Sequence, residues 1–350
     1  MLPSRFLPPR LLAAAVLLVG MVGMVAIAAR AAEPDATTES PVGQPEAMEQ
    51  AEGEAETDCP AALAIGPLDV WVASTRRLPG VCRTPAHADL AIEQLVNDGG
   101  CRRWERADLT GLLADPGRPL VFFVHGNRYE PADAKAQGIS LAQRMAQARG
   151  GLPPRVVILS WPSQKQGVLL KDGRRKYERA YADGQYLAWL LGRVEPEQPV
   201  AIVGYSFGAL VATEALDELA RRDASAADGI RWADRPGRTH LVFVAPALRA
   251  DALAPRGPFR RTLDGVDRIT LLINSRDEAL RFFPLLEPQA KAPALGFVGM
   301  PRRWLPAEVE YAAIDAAGVV GKLHTMRRYL DAWPLAERIA GGALDGLAGE

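Results

Sequence analysis

The chain is short of histidine, cysteine and net charge. Four histidines (His87, His125, His240, His324) and three cysteines (Cys59, Cys82, Cys101) occur in 350 residues. The cysteine spacings of 23 and 19 residues match no zinc finger or ribbon, and His87 is the one histidine near them, so a structural metal site has no support. In an oxidising compartment one pair would bridge and leave the third thiol free, with all three pairings open. The formal charge of -1 hides a segment without a single Lys or Arg: residues 31–58 carry nine acids. Without those nine and the leader arginines Arg5, Arg10 and Arg30, the totals of 42 acidic and 41 basic residues fall to 33 and 38. A body with about five net positive charges is far from a nucleic-acid-binding balance. No internal repeat is present.

What is there suits a globular body of one large or two small domains, with 48% hydrophobic and 24% charged residues. The N-terminus reads as an export signal. Arg5 and Arg10 precede an apolar run of 19 residues, Leu11 to Ala29, and Ala29-Arg30-Ala31 offers a small-x-small cleavage site. Left uncut, the run is long enough to span a bilayer. Residues 1–31 are therefore expected to be a signal peptide or membrane anchor. The body is expected outside the cytoplasm, periplasmic or extracellular, or tethered to a membrane. Residues 32–58, rich in Ala, Glu, Pro, Thr and Gln with hardly any large apolar side chain, cannot bury enough surface to offset ordering entropy and read as a disordered acidic linker.

From residue 59 onward the pattern alternates. Apolar runs at Leu68–Ala73, Leu120–Val124, Val156–Leu159, Val200–Val203, Leu241–Val244, Ile269–Ile273 and Val309–Ile314 read as strands, several without polar alternation, as expected where both faces are covered. Helical stretches fall near Ala132–Ala148, Tyr177–Leu191 and Phe207–Arg221. Alternating strands and helices predict a single α/β domain, residues 59–350, with a mostly parallel central sheet and helices on both faces. Phe282 to Pro306 is apolar and holds five prolines, so it is expected to make an irregular excursion that either packs on the sheet or covers a substrate.

In such a sheet, chemistry collects where strands end. Val200–Val203 leads into Gly204-Tyr205-Ser206-Phe207-Gly208 and a helix. The bare glycine–serine pattern is common; its place between strand and helix makes it specific, because that turn exposes the serine hydroxyl while the glycines avoid collisions. Ser206 is the candidate nucleophile. His324 alone among the histidines lies downstream of the serine in a loop after a strand, as the order serine, acid, histidine requires. The acid is expected to be Asp277, at the exit of Ile269–Ile273, with Asp251 as rival. The oxyanion hole needs two backbone donors: the Phe207 amide, directly after the nucleophile, and the Asn127 amide in His125-Gly126-Asn127. His125 is expected to brace that loop. His240 is expected to be buried or paired locally. The basic stretch Lys165 to Arg179 reads as a solvated helix start, with an anionic lipid surface as the alternative.

Phe122-Phe123-Val124-His125-Gly126-Asn127, Gly204 to Gly208, Asn274-Ser275-Arg276-Asp277 and His324 together resemble the α/β-hydrolase superfamily. Ser74-Thr75-Arg76, Ser160-Trp161-Pro162-Ser163 and Asp277-Glu278-Ala279-Leu280 are similar to bacterial hydrolases of unknown function, over roughly residues 68 to 330. The resemblance implies an α/β-hydrolase fold and a serine hydrolase with Ser206, Asp277 and His324 as its triad. It implies no substrate and no metal or organic cofactor. Phe207 stands where many relatives carry a smaller residue. The expected activity is that of an exported esterase or lipase-like hydrolase acting on a small-molecule or lipid ester. The alternatives are an amidase or peptidase with the same triad, and a membrane-tethered scaffold that binds without catalysis.

Overall fold

A nine-stranded sheet runs through the molecule in the order β3-β2-β1-β5-β4-β6-β7-β8-β9. The computed structural model describes residues 68–98, 101–149, 153–223, 231–287 and 291–347, all within one compact unit. The expected leader and acidic linker, residues 1–58, lie outside these. Among the described residues no helix is long and apolar enough to cross a membrane.

The strands are β1 (Asp69–Ser74), β2 (Ala91–Asp98), β3 (Cys101–Ala107), β4 (Leu120–Val124), β5 (Arg155–Ser160), β6 (Val200–Tyr205), β7 (Thr239–Val244), β8 (Arg268–Ile273) and β9 (Glu310–Asp315). From β1 to β9 all neighbours pair in parallel. β1, β2 and β3 form an antiparallel meander at one edge. β4, β5, β6 and β7 are buried along their whole length, which is why they read as unbroken apolar runs.

The helices are α1 (Leu109–Leu113), α2 (Pro131–Ala148), α3 (Leu169–Leu191), α4 (Phe207–Asp223), α5 (Glu278–Arg281), α6 (Leu295–Val298), α7 (Ala317–Val320), α8 (Met326–Asp331) and α9 (Trp333–Leu344). α3 packs on α4, and α2 packs on α9, so the long helices form two layers with the sheet between them. Close approach is built in at Gly138, where a Cβ would lie 2.3 Å from Ile158 of β5.

A partly buried ion cluster ties together the amino ends of β1 and β5 and the approach to β4. Asp69 accepts from Arg118 at 2.7 Å and from Arg155 Nε at 2.8 Å, while Arg155 also donates to the carbonyls of Leu112 and Ala114. Arg155 is only 8% exposed, and its guanidinium joins three chain segments.

The seven expected strands are present, Leu120–Val124 with the expected ends and the other six with ends shifted by one or two residues. The β2–β3 hairpin was not foreseen. Its sequences, AIEQLVND and CRRWERA, are too charged to register as apolar runs, because an edge hairpin with a solvated face needs few apolar residues. α3 starts eight residues before the expected Tyr177, at Leu169; the basic stretch is its first turns. The Phe282–Pro306 excursion packs on the sheet, with Phe283, Leu295 and Met300 buried. Of the cysteines, Cys101 is disulfide-bonded, Cys82 is a free, exposed thiol, and Cys59 lies outside the described residues.

Candidate active site

β6 ends at Tyr205 and α4 begins at Phe207, leaving Ser206 alone on the turn with φ of 54°. A non-glycine residue in this left-handed region is strained and needs its surroundings to hold it there. Here both flanks are clamped. The Ser206 amide donates to Val244 O at 3.1 Å, and the Ser206 carbonyl accepts from Ala209 and Ala247 at 3.1 Å each. A Cβ on Gly204 would lie 2.8 Å from Ala209 Cα, and one on Gly208 would lie 1.9 Å from the Val124 carbonyl oxygen. Glycine is therefore required on both sides of the serine.

His324 follows β9 and reaches back to this turn. Its Nε2 is 2.8 Å from Ser206 Oγ, and its Nδ1 is 2.7 Å from Asp277 Oδ2. Both contacts are satisfied when Nδ1–H donates to the carboxylate and Nε2 accepts from the hydroxyl. Asp277 is fully buried, and its other oxygen accepts from the Leu280 amide at 3.0 Å as the N-cap of α5. A carboxylate anchored on one oxygen presents the other at a fixed place. Ser206, His324 and Asp277 are thus brought together in the order expected. Asp251 is not among them: it pairs with Arg249 at 2.6 and 2.8 Å, which holds its carboxyl below the usual range.

Two further groups set the imidazole. The Tyr205 ring stacks on it, with centroids 5.3 Å apart and planes at 27°. Asn274, fully buried at the end of β8, donates to the carbonyls of Gly321 at 2.9 Å and Leu323 at 3.4 Å. This side chain ties the acid-bearing loop to the histidine-bearing loop. Lys322 reinforces the link with Glu278 at 3.2 Å.

The loop after β4 passes directly over the serine: a Cβ on Gly126 would lie 2.9 Å from Ser206 Cβ. His125 is wholly buried beneath it, stacked on Tyr129 at 5.1 Å and Trp161 at 5.6 Å. Its Nδ1–H donates to Gly126 O at 2.9 Å and its Nε2 accepts from the Trp161 amide at 3.2 Å. Burial pushes its pKa down to about 3, so at neutral pH it is uncharged and braces the loop. His240 is likewise buried, donates to Ala343 O at 3.1 Å, and is lowered to about 4, mainly by burial. His87 is exposed between β1 and β2.

The motifs that lacked a role surround this loop. Arg76 forks onto Ser160 Oγ at 2.8 Å, Gln164 Oε1 at 2.9 Å and Tyr129 O at 3.0 Å. The Ser163 carbonyl accepts from the Arg128 amide at 2.7 Å. Thr75 Oγ1 donates to Asp183 Oδ1 at 2.6 Å, and Arg179 Nε donates to Asp183 Oδ2 at 2.9 Å. Ser74-Thr75-Arg76 and Ser160-Trp161-Pro162-Ser163 therefore hold residues 125–129 from outside. On the other flank Phe207 packs against Tyr177 at 5.7 Å, and Tyr177 against Phe283 at 5.8 Å, an aromatic wall beside the nucleophile.

Solved structures with a similar chain path include an inhibited esterase B from Lactobacillus rhamnosis, 13% identical over 76% of this chain and 86% of that one, with a TM-score of 0.35. An esterase/lipase from an uncultured bacterium is 13% identical over 73% and 85%, at 0.32, and a bacterial heroin esterase is 13% identical over 76% and 84%, at 0.35. Similarities this remote say nothing about a reaction. No curated protein matches the chain. The model of a family described as alpha/beta hydrolase of unknown function (DUF900) matches residues 104–298, more than half of the chain, and the chain belongs to that family.

Proposed function

We propose that this α/β hydrolase is a serine hydrolase cleaving carboxylic esters, with Ser206 as nucleophile, His324 as general base and acid, and Asp277 as the group that orients and stabilises the imidazolium. The observation that carries the reading is the unbroken pair of hydrogen bonds from Asp277 through His324 to a serine held at φ 54°. A hydroxyl becomes a useful nucleophile only when a base takes its proton as it attacks.

Ser206 Oγ adds to the ester carbonyl while its proton passes to His324 Nε2. The oxyanion is held by the backbone amides of Phe207 and Asn127, which flank the turn and the loop above it. His324 then gives its proton to the departing alkoxide, leaving an acyl-enzyme. Water enters, loses a proton to the same nitrogen and adds to the acyl carbonyl; collapse restores Ser206 and releases the acid. The aromatic wall of Phe207, Tyr177 and Phe283 stands where an acyl chain would lie.

A fluorophosphonate probe tests this, since it reacts with an activated serine beside an oxyanion hole. Labelling of wild type confined to Ser206 and lost in Ser206→Ala, together with turnover in a series of esters of increasing acyl length, is the expected result. Folded wild-type protein that neither labels nor turns over any ester would leave the scaffold reading in its place. Export is part of the proposal: residues 1–60 fused to a reporter active only after translocation should give signal, and a cytoplasmic reporter would remove the claim.

A further inference from the structure

Six large apolar side chains stand exposed among the described residues: Val168, Leu285, Val298, Val319, Leu323 and Trp333. Val168 follows β5, Leu285 and Val298 follow β8, and Val319 and Leu323 follow β9. Five of the six thus leave the carboxyl ends of strands, the end that carries Ser206. Trp333 opens α9, whose far end touches the starts of β7 and β8 through Ala343 with His240 and Asp345 with Arg268, so it too lies toward the carboxyl end.

Charge is sorted the same way. Segments 164–176, 274–287, 291–299 and 316–328, which contain the first five of those residues, expose four, two, one and three Lys or Arg side chains respectively, and no Asp or Glu. Their acids are withdrawn. Asp172 and Asp277 are buried, Glu278 pairs with Lys322, and Glu287 accepts from Tyr177 at 3.0 Å. The opposite end of the sheet exposes both signs, with Asp115, Glu195, Glu197, Asp264, Glu308 and Glu310 standing among Arg193, Arg231, Arg261, Arg302 and Arg303. Acids are also exposed at this end, Glu130 and Asp133 after β4, Asp315 at the end of β9, and Glu178 and Asp331 just beyond the segments, but around the five apolar side chains exposed bases are in excess.

Exposed bases alone suit any polyanion. Aliphatic side chains set between them suit only a surface into which they can sink, and here they are spread over four segments rather than gathered in one cleft. That pattern fits a broad, flat, negatively charged and apolar partner better than an acidic protein or a nucleic acid. We propose that the carboxyl-end rim docks on an anionic lipid bilayer, so that the ester presented to Ser206 is one held in the membrane. Docking follows from the rim alone; the identity of the substrate as a membrane ester rests on the serine-hydrolase reading.

Each Lys or Arg near an anionic surface is worth about fivefold in binding. The full chain is mixed with vesicles of phosphatidylcholine alone and with about 30% phosphatidylserine, the anionic lipid of such surfaces, and the bound fraction is measured against salt. The N-terminal run, with its flanking arginines and the acids that follow it, is common to every variant, so the readout is the change in the difference between the two compositions from wild type to variant. Binding to the anionic vesicles should be at least about tenfold tighter and should weaken as salt rises. Lys165→Gln with Lys171→Gln and Arg175→Gln should remove most of the difference, and the uncharged changes Val168→Ser with Val298→Ser should reduce it by about tenfold or more. Asp264→Asn with Glu308→Gln, at the opposite end, should leave it as it was.

Equal binding to both compositions overturns the proposal. So does an anionic preference untouched by the Val168 and Val298 changes, which would mark a general polyanion surface. Fluorophosphonate labelling separates the two readings: labelling without anionic-vesicle preference sinks docking and spares the hydrolase. Preference without labelling keeps docking and removes the membrane ester.

Discussion

Both ends of the sheet carry buried charge, and they use it differently. At the amino end Asp69, Arg118 and Arg155 close on one another and on backbone carbonyls, and every strong donor there is spent on structure. At the carboxyl end the chain of partners from Asp277 runs through His324 and stops at a hydroxyl. The first arrangement bolts three segments together. The second leaves one oxygen with a base and no further commitment, and that open end is what the proposed chemistry uses. Burial and pairing alone do not distinguish a structural cluster from a catalytic one; where the last partner points does.

The largest effect should come from opening the carboxyl-end relay. Ser206→Ala and His324→Ala should each lower ester turnover by about four orders of magnitude or more with the fold intact, leaving the remainder that binding and the oxyanion donors supply. Asp277→Asn should reduce it by about two to four orders, since the imidazole remains but favours the wrong tautomer. Asp251→Asn should be mild. Steady-state kinetics of the series, with circular dichroism to check folding, decides the acid: a severe Asp251 variant beside a mild Asp277 variant would transfer the role.

The amino-end counterpart is Arg155→Met. It leaves Asp69 with Arg118 and the Trp71 indole but strips the carbonyls of Leu112 and Ala114 of their donor, a loss of about 1–3 kcal/mol of stability. Urea unfolding should show that loss while kcat of the protein still folded stays at the wild-type value. A fall in kcat instead would mean that the two ends are coupled.

A smaller effect is expected at Arg76. Its fork holds Tyr129 O and Ser160 from outside the reacting groups, so it is a positioning residue for the Asn127 loop. Arg76→Ala should lower kcat by about 10- to 100-fold, the size expected when an oxyanion donor shifts, with KM within about twofold. Arg76→Lys keeps charge but cannot fork, and should rescue little. A change in KM alone would place Arg76 in substrate binding.

The least dramatic test is of pH. The unfolded imidazole of a histidine protonates near its ordinary value of 6.5, whereas folded His125 does so at about 3 and His240 at about 4. Between those values the unfolded chain binds protons that the folded chain refuses, so stability should fall as pH drops from 6.5 toward 3. His125 is stacked between Tyr129 and Trp161 and feels Arg76; His240 feels Arg268 and Arg238 against Asp267. His125→Gln and His240→Gln should each flatten the slope of unfolding free energy against pH over this range. An unchanged slope would show that neither imidazole is held neutral.

The meeting of Ser206, Asp277 and His324 was legible because each sits at a strand exit that can be found locally: a glycine-flanked turn after Val203, Asp277 just past Ile273, His324 after the last strand. The braces were not. Arg76 meets residues 53 to 88 positions away, and Asn274 meets carbonyls 47 and 49 positions on. Nothing in a local pattern marks such pairs. Tyr205 stacking on His324 was hidden for the same reason, although its place between the two glycines was visible. α9 escaped because WPLAERIAGGAL contains a proline and two adjacent glycines that weaken a helical reading. The proline sits in the first turn, where its missing N–H is harmless, and Gly342 lets the helix lie against Thr270, 2.4 Å from where a Cβ would be.

The backbone of Ser206 also sets activity against durability. A side chain at φ 54° holds about 1–2 kcal/mol of strain that glycine would not feel. Ser206→Gly, though inert, should therefore melt at a temperature no lower than wild type and up to a few degrees higher, after the greater freedom of glycine in the unfolded chain is subtracted. If Ser206 is the nucleophile proposed, a lineage released from the need to react would be free to drift toward that glycine, and a homologue carrying it would be a retired enzyme with a sturdier turn.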